Sequence, residues 1–237
     1  MSAVLPLTLR GIELRRSGQR LVGPIDWELG GRGLTAVIGP NGAGKSTLLR
    51  LMHGLERPSA GRLAWATPMS EARQAQAFVF QSPVVLRRSV AENLAFPLRL
   101  AGRPRADARA RALDWAARLG LSAQADRSAW LLSRGERQKL ALARALITAP
   151  EVLFLDEPTA SLDGHATRAI EAMLAEDRAR GTRIVLATHD MGQARRLADE
   201  VVFLLGGQIH ERGETEAFFA APKTEAAAAF LRGDIVT

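Results

Sequence analysis

Residues 39–47 read Gly39-Pro40-Asn41-Gly42-Ala43-Gly44-Lys45-Ser46-Thr47 and match the pattern G-x-x-x-x-G-K-[ST]. The five residues before the loop, 34–38, form a continuous apolar run, which is typical of a strand buried on both faces. The spacing of apolar residues predicts a helix over 45–53, and Gly54 is its natural end. A glycine-rich loop between a buried strand and a helix is the context in which this pattern binds phosphate, and it predicts an α/β fold.

The chemistry of the loop follows from its residue types. Glycines allow backbone N–H groups to close around phosphate oxygens, and the helix N-terminus adds partial positive charge. Lys45 is placed to reach the β- and γ-phosphates of a nucleotide, and the Ser46 hydroxyl is placed to coordinate Mg²⁺. The chain has only three lysines, Lys45, Lys139 and Lys223, and its other permanently charged basic residues are arginines. Because the two side chains are not interchangeable, this position requires the compact ammonium.

Polar side chains follow three further predicted strands. Asp156 and Glu157 end the apolar run 152–155, His189 follows a strand over 184–188, and Gln81 ends a strand over 76–81. Since the carboxyl ends of parallel strands line the crevice where ligands bind, these side chains are expected to meet the loop. Asp156 would then hold Mg²⁺ through water, and Glu157 would polarise the attacking water. For His189, a γ-phosphate contact competes with a packing or capping role, and Gln81 is a candidate for the metal or the water.

The rest of the chain divides into an α/β part and a helical part. Short half-exposed antiparallel strands are predicted over 7–9, 12–14 and 25–29, and a mostly helical insertion over 82–134, with helical periods in 89–101 and 105–119. Helices over 135–148, 164–180 and 190–199 then alternate with the strands above and with strands over 201–205 and 208–211. Strands alternating with helices predict a doubly wound parallel sheet. The segment 214–233 is predicted to be helical and peripheral.

The composition excludes several kinds of site and partner. The 237 residues are 47% hydrophobic and include no cysteine, which excludes disulfides, cysteine-ligated zinc and a catalytic thiol. The net charge of +7 comes from scattered arginines without interleaved aromatic residues, so no nucleic-acid partner is expected. The sequence contains no apolar run of membrane-spanning length and no secretory signal at its start.

These motifs together resemble the nucleotide-binding subunit of an ABC transporter, over essentially the whole chain. Residues 39–47 match its Walker A loop, Gln81 its Q-loop, and Leu132-Ser133-Arg134-Gly135-Glu136 stands in place of its LSGGQ signature. Leu153-Phe154-Leu155-Asp156-Glu157-Pro158 matches the Walker B strand, Ser161-Leu162-Asp163 the D-loop, and His189 the switch histidine. The resemblance implies a P-loop NTPase of the ABC ATPase type. Its core would be 1–81 with 135–213, its helical subdomain 82–134 and its C-terminal helical tail 214–237.

The resemblance also implies how the chain works. ATP and Mg²⁺ would be sandwiched in a head-to-tail dimer, in which Ser133 and Gly135 contact ATP on the partner copy and Asp163 lies near the nucleotide. Ser46, Gln81 and Asp156 would bind Mg²⁺, and Glu157, Gln81 and His189 would act in hydrolysis. Closure of the dimer would drive transmembrane permease subunits, with an extracytoplasmic solute-binding protein acting indirectly. The chain would then sit peripherally on the cytoplasmic face of the plasma membrane.

Two positions depart from the family pattern. Arg134 stands where the family usually has the first signature glycine, either pointing away or adding positive charge near the partner's ATP. Arg16 aligns with the aromatic residue that usually stacks on adenine. A guanidinium plane can stack on a base, so Arg16 is a candidate substitute, and the alternative is a solvated strand residue.

The segment around Gln81 gives the only indication of the solute. Residues 80–90 are most similar to cassettes of tungstate-type oxyanion importers, with phosphate and amino-acid importers as close competitors. A lipid or lipoprotein exporter cassette and a soluble ABC ATPase of DNA repair or translation are the alternatives of another class. The expected function is therefore ATP-driven import of a small oxyanion such as tungstate or molybdate.

Overall fold

The computed structural model describes residues 3–160 and 162–236 as two sheets with helices on both sides of the larger one. The strands are β1 (Leu7–Arg16), β2 (Gln19–Leu29), β3 (Leu34–Ile38), β4 (Ala60–Trp65), β5 (Gln76–Val79), β6 (Val152–Asp156), β7 (Arg183–Ala187), β8 (Glu200–Leu205) and β9 (Gln208–Glu214). The helices are α1 (Lys45–His53), α2 (Met69–Ala72), α3 (Val90–Leu100), α4 (Arg105–Arg118), α5 (Arg134–Leu146), α6 (Gly164–Ala179), α7 (Met191–Leu197), α8 (Thr215–Ala220) and α9 (Glu225–Arg232).

The larger sheet has six strands in the order β5-β6-β7-β3-β8-β9. The first five are parallel, and β9 pairs antiparallel with β8. Every residue of β3, β6 and β7 is buried, as expected for strands covered by helices on both faces. The predicted doubly wound α/β fold is therefore confirmed, and the ends of β3, β5, β6 and β7 come together at one edge.

The smaller sheet is antiparallel, in the order β2-β1-β4. The sequence predicts separate strands at 7–9 and 12–14, whereas β1 runs continuously through Gly11, where the pairing register shifts. The strand β2 likewise begins earlier than predicted and continues through Gly23, where φ is +103° and an added Cβ would lie 2.1 Å from the carbonyl oxygen of Ile12. Glycines that interrupt the apolar alternation are thus bulges within longer strands.

The helical insertion has its own hydrophobic cluster, formed by α3, α4 and one face of α5. Asn93 on α3 is fully buried and holds the segment that follows Gln81. Its Oδ1 accepts from the Leu86 N–H at 2.8 Å, and its Nδ2 donates to the carbonyl oxygens of Leu86, Arg88 and Ser89. A buried amide with all these partners fixes the loop between β5 and α3.

The C-terminal segment, predicted to be helical, forms two short helices, α8 and α9. Phe218 on α8 and Ala227 on α9 are buried in a cluster with Phe203 of β8, so this segment is part of the core and is less peripheral than predicted. Glu211 accepts hydrogen bonds from the backbone N–H groups of Lys223 and Thr224, which anchors the start of α9. Within the described ranges, no helix combines the length and apolarity needed to cross a membrane.

His53, at the end of α1, makes folding sensitive to acid. Its ring packs edge-on against Phe78 and Phe154, with centroids 5.5 and 5.8 Å away. Burial, with a smaller contribution from nearby Arg73, lowers the pKa of His53 to about 4. Because the folded-state pKa lies below the unfolded value, this stability is complete above about pH 6.5 and is lost as the pH falls toward 4.

We therefore expect the free energy of unfolding to decrease by roughly 2–3 kcal/mol between pH 7 and 4 on account of His53 alone. His53→Phe should remove this part of the pH dependence in urea titrations at several pH values. The matched control is His210→Phe, which removes an exposed histidine ring outside the cluster of His53, Phe78 and Phe154. Equal slopes for His53→Phe and the wild-type chain would contradict the assignment.

Candidate functional site

The phosphate-loop cleft opens at the edge where the parallel strands end. It encloses about 410 Å³, and its lining combines the loop, the start of α1 and side chains from other elements. The lining residues are Leu21, Asn41, Gly42, Gly44, Lys45, Ser46, Thr47, Gln81 and Glu157. The crevice is thus where the sequence analysis places it, at the carboxyl ends of the strands.

Two glycines give the loop its shape. Gly39 has φ +151°, and a Cβ there would lie 2.1 Å from the Leu204 carbonyl oxygen, so the loop and β8 approach too closely for a side chain. Gly44 has φ +98° and precedes α1, and its added Cβ would lie 2.9 Å from Val22 Cγ2. No side chain caps α1, and no acid lies in its first turn. The N–H groups at this helix end are therefore suited to an anion.

Lys45 lies on the floor of the cleft, with only 5% of its side chain exposed. Its Nζ donates to the carbonyl oxygens of Gly39 at 2.8 Å and Pro40 at 3.1 Å. Burial lowers the pKa of Lys45, while Glu157, 4.0 Å away, and Asp156 act in the opposite direction. The ammonium is held by the loop that it serves, at the point where phosphate oxygens are expected.

Ser46 and Asp156 form the candidate magnesium site. The Ser46 hydroxyl donates to Asp156 Oδ1 at 2.7 Å, and Arg50 Nη2 lies 3.8 Å from Asp156 Oδ2. The Asp156 side chain is 2% exposed, and this burial raises its pKa. A hydroxyl and one carboxylate fit Mg²⁺, which takes few protein oxygens when phosphates and water supply the rest. In the described part of the chain no cluster of three or more acidic, histidine or cysteine ligands exists.

Gln81 and His189, the remaining side chains predicted for this site, both lie next to Glu157. Its Oε2 accepts from Gln81 Nε2 at 3.0 Å and lies 3.1 Å from His189 Nδ1. Glu157 has φ +46°, which is unfavourable for a residue with a side chain, and its N–H donates to the Ala187 carbonyl oxygen. Strained backbone of this kind is concentrated at functional sites. Gln81 lies two residues beyond the end of β5 at Val79, so the predicted strand over 76–81 is too long, although Gln81 still reaches the cleft.

A second cleft, the signature cleft, lies apart from the first and has no lining residue in common with it. Its lining residues are Ser133, Arg134, Gly135, Glu136, Lys139, Leu162, Asp163, His165 and Ala166. Ser133 caps α5, and Asp163 caps α6 by accepting from the Ala166 N–H at 2.8 Å. The predicted signature and D-loop residues are therefore neighbours, except that Ser161 lies outside the described residues.

The adenine end of the site is the least determined by sequence. Arg16 does not line the phosphate-loop cleft, and its Nη2 lies 3.2 Å from Glu56 Oε1 with 65% of the side chain exposed. Leu21, on the same β-hairpin, does line the cleft, and the sequence analysis missed it because an aliphatic residue in an edge strand carries no chemical signal. The stacking role of Arg16 stays a prediction.

The fold and the first cleft define a P-loop nucleotide-binding protein, with the loop and the carboxylates in their expected places. The family model described as ABC transporter matches residues 22–160, and the chain belongs to this family as an ATP-binding domain. Members of this class that serve transporters are ATPases, and their hydrolysis is coupled to transport.

Relatives and solved structures agree with this family. The methionine import ATP-binding protein MetN of Cereibacter sphaeroides is 41% identical over 84% of this chain, which spans 60% of that protein. The tungstate uptake system ATP-binding protein TupC of Peptoclostridium acidaminophilum is 40% identical over 78% of this chain and 86% of its own length. The structure of cbiO1 from Clostridium perfringens, part of the transporter complex cbiONQ, has a TM-score of 0.80 at 29% identity, covering 95% of this chain and 94% of that one.

These similarities do not decide the expected solute. Residues 80–90 favour the oxyanion type, but the methionine-import relative is as similar to this chain as the tungstate-uptake relative. Similarity therefore does not single out an oxyanion.

Proposed function

We propose that this chain binds and hydrolyses ATP to power a membrane importer from the cytoplasmic face of the plasma membrane. The observation that carries the proposal is the convergence of Lys45, Ser46 and Gln81 on Asp156 and Glu157 within one cleft. A phosphate loop alone indicates phosphate binding. Here two carboxylates lie beside the loop. One accepts a hydrogen bond from the Ser46 hydroxyl, and the other contacts two polar side chains. This arrangement indicates hydrolysis of the bound phosphate.

Each side chain has a distinct part in this reaction. Lys45 holds the β- and γ-phosphates, and the loop positions them along α1 with Asn41, Gly42, Ala43 and Thr47. Ser46 and Asp156 hold Mg²⁺ with help from Gln81, and the ion, when bound, neutralises negative charge on the phosphate oxygens. Glu157 orients and deprotonates the attacking water, and His189 contacts the γ-phosphate.

Glu157 has contacts with which a bound nucleotide would compete. Gln81 and His189 both engage Glu157 Oε2, so the carboxylate that would receive the water is occupied by neighbouring side chains. An arriving γ-phosphate competes with Glu157 for His189 and Lys45, because it carries more negative charge and more acceptor oxygens than one carboxylate. Release of Glu157 is then coupled to nucleotide binding.

Two copies are needed for a complete site in this proposal. Ser133 and Gly135 line a cleft separate from the phosphate loop of the same chain, so they cannot serve that loop directly. A head-to-tail pair would place the signature cleft of one copy over the phosphate-loop cleft of the other, with Asp163 at the contact.

An apolar groove beside Gln81 fits the transmembrane partner. Phe80, Val84 and Leu100 are exposed although they are large and hydrophobic, and all three line one groove. Arg144 on α5 closes its wall and donates to the Val84 carbonyl oxygen at 2.6 Å. Exposed apolar residues grouped in a groove mark an interaction site. We propose that a short cytoplasmic helix of a permease subunit docks here, so that its movement reaches Gln81.

For the solute, we propose methionine or a similar amino acid first and tungstate second. The first follows from the methionine-import relatives, and the second from the tungstate-uptake relative together with the similarity over residues 80–90. The cassette does not touch the solute, so its own residues do not decide between them. Solute choice would lie in the permease and in an extracytoplasmic solute-binding protein.

Uptake measurements in the source organism test both levels of the proposal. Deletion of the chain should abolish high-affinity uptake of labelled methionine or of tungstate, and the wild-type chain, but not Glu157→Gln, should restore it. If deletion leaves the uptake of methionine and of tungstate unchanged, neither is the solute, and the proposed ATPase activity still stands. A purified chain without Mg²⁺-dependent ATP hydrolysis, alone or with its permease, would overturn the proposed function itself.

Arg16 provides a test at the adenine end. Its exposed ion pair with Glu56 contributes at most about 1 kcal/mol, and a guanidinium stacked on an aromatic ring contributes about 0.5–2 kcal/mol. The guanidinium can therefore leave Glu56 for adenine. We expect Arg16→Ala to raise the KM for ATP by about fivefold, and Glu56→Ala, which frees Arg16, to leave it unchanged or lower. An unaltered KM in Arg16→Ala would show that adenine is held elsewhere.

A further inference from the structure

Arg134 occupies a defined place in the signature cleft. It is the first residue of α5 and directly follows the capping residue Ser133. Its side chain lines the cleft together with those of Ser133 and Asp163. The neighbouring Gly135 is more confined, because an added Cβ there would lie 3.2 Å from Ala166 Cβ on α6. Position 134 thus accepts a long side chain, whereas a side chain at position 135 would crowd α6.

The charge of Arg134 is not neutralised within its own chain. Across residues 3–160 and 162–236, its guanidinium has no hydrogen bond, ion pair or aromatic contact, and the residue is exposed. The two acids that line the same cleft are already engaged. Glu136 Oε2 accepts from the Ser133 N–H at 2.8 Å, and Asp163 Oδ1 accepts from the Ala166 N–H at 2.8 Å.

The other cations of the cleft are differently placed. Lys139 Nζ donates to the Leu119 carbonyl oxygen at 3.4 Å, so Lys139 already has a partner at the end of α4. His165 is exposed on the first turn of α6. Arg134 therefore differs from the other basic side chains of the cleft, because it is permanently charged and its guanidinium is free. The guanidinium has five N–H donors for an anion.

We propose that Arg134 is a ligand, supplied in trans, for the terminal phosphate of ATP bound to the second copy. The inference rests on the proposed head-to-tail pairing, which brings the signature cleft over the partner's phosphate loop. A glycine at this position could offer phosphate only its backbone N–H, whereas Arg134 adds a full positive charge and a planar fork that matches phosphate oxygens. The charge makes ATP-driven association of two copies stronger and more dependent on salt.

The test uses the full chain carrying Glu157→Gln, so that bound ATP persists while association is measured by light scattering. Arg134→Gln removes the charge and keeps most of the side chain, which spares α5 the loosening that glycine would bring. Arg134→Lys restores the charge without the fork. Arg137→Gln is the matched control, since Arg137 lies one turn further along α5 and does not line the cleft.

We expect Arg134→Gln to raise the dissociation constant of the ATP-bound dimer by about tenfold at low salt and to flatten its dependence on NaCl. Arg134→Lys should recover part of the affinity and most of the salt dependence, and Arg137→Gln should match the parent. If the parent dimerises with ATP and Arg134→Gln does so equally well at every salt concentration, the role of Arg134 is overturned while the proposed function stands. If the parent binds ATP yet never dimerises, the paired site and the role of Arg134 fail together.

Discussion

Replacing Glu157 by glutamine is expected to lower the rate of ATP hydrolysis by at least about 100-fold while ATP binding persists. Glutamine has the size and shape of glutamate, and it keeps an oxygen that can accept from Gln81 Nε2, now 3.0 Å from Glu157 Oε2. It lacks the negative charge that polarises a water and the capacity to take its proton. The loss should therefore fall on turnover, with little change in the affinity for ATP.

Single-turnover assays with radiolabelled ATP measure this loss directly, and gel filtration with Mg²⁺ and ATP should show accumulation of a dimer. Glu71→Gln on the short helix α2 is the matched control, because it removes one exposed carboxylate that lies outside both clefts. That variant should hydrolyse ATP at the parental rate. If Glu157→Gln hydrolyses ATP as fast as the parent, a group other than Glu157 activates the attacking water.

The sequence predicts the position of these side chains because strand ends in a parallel sheet share one edge. A buried apolar run is recognisable by composition alone, so the residue after it is placed at that edge without further information. This is why Asp156, Glu157 and His189 are found beside the loop at 39–47. Gln81 reaches the same place from a shorter strand, since the chain after Val79 continues toward Glu157.

Other features depend on contacts between distant segments and leave no local pattern. The strand β4 at Ala60–Trp65 is missed because most of its residues are exposed or half-buried at a sheet edge, which weakens the alternation. The positive φ of Glu157 is imposed by its surroundings and is not encoded by its residue type. Likewise, the pairing of Arg16 with Glu56 and the position of Leu21 in the cleft depend on how the β-hairpin sits against the loop.

Lys45→Arg is expected to weaken ATP binding nearly as much as Lys45→Ala, by about 100-fold, although it keeps the positive charge. The Lys45 ammonium lies 2.8 and 3.1 Å from the carbonyl oxygens of Gly39 and Pro40, with 5% of the side chain exposed. A guanidinium is wider and planar, so it cannot enter this cradle without moving the loop. The loop cannot move freely toward β8, because it lies so close to this strand that a Cβ added at Gly39 would be 2.1 Å from the Leu204 carbonyl oxygen.

The lysine content of the chain supplies the control for this argument. Lys223 is exposed near the start of α9 and lines neither cleft, and Lys223→Arg makes the same chemical change there. Titration with a fluorescent ATP analogue should give parental affinity for Lys223→Arg and a large loss for Lys45→Arg, with equal thermal stability in both variants. Because the charge is the same in both lysine-to-arginine variants, such a difference isolates shape as the requirement at position 45. An affinity of Lys45→Arg within threefold of the parent would mean that charge alone suffices and that the tight cradle has no part in binding.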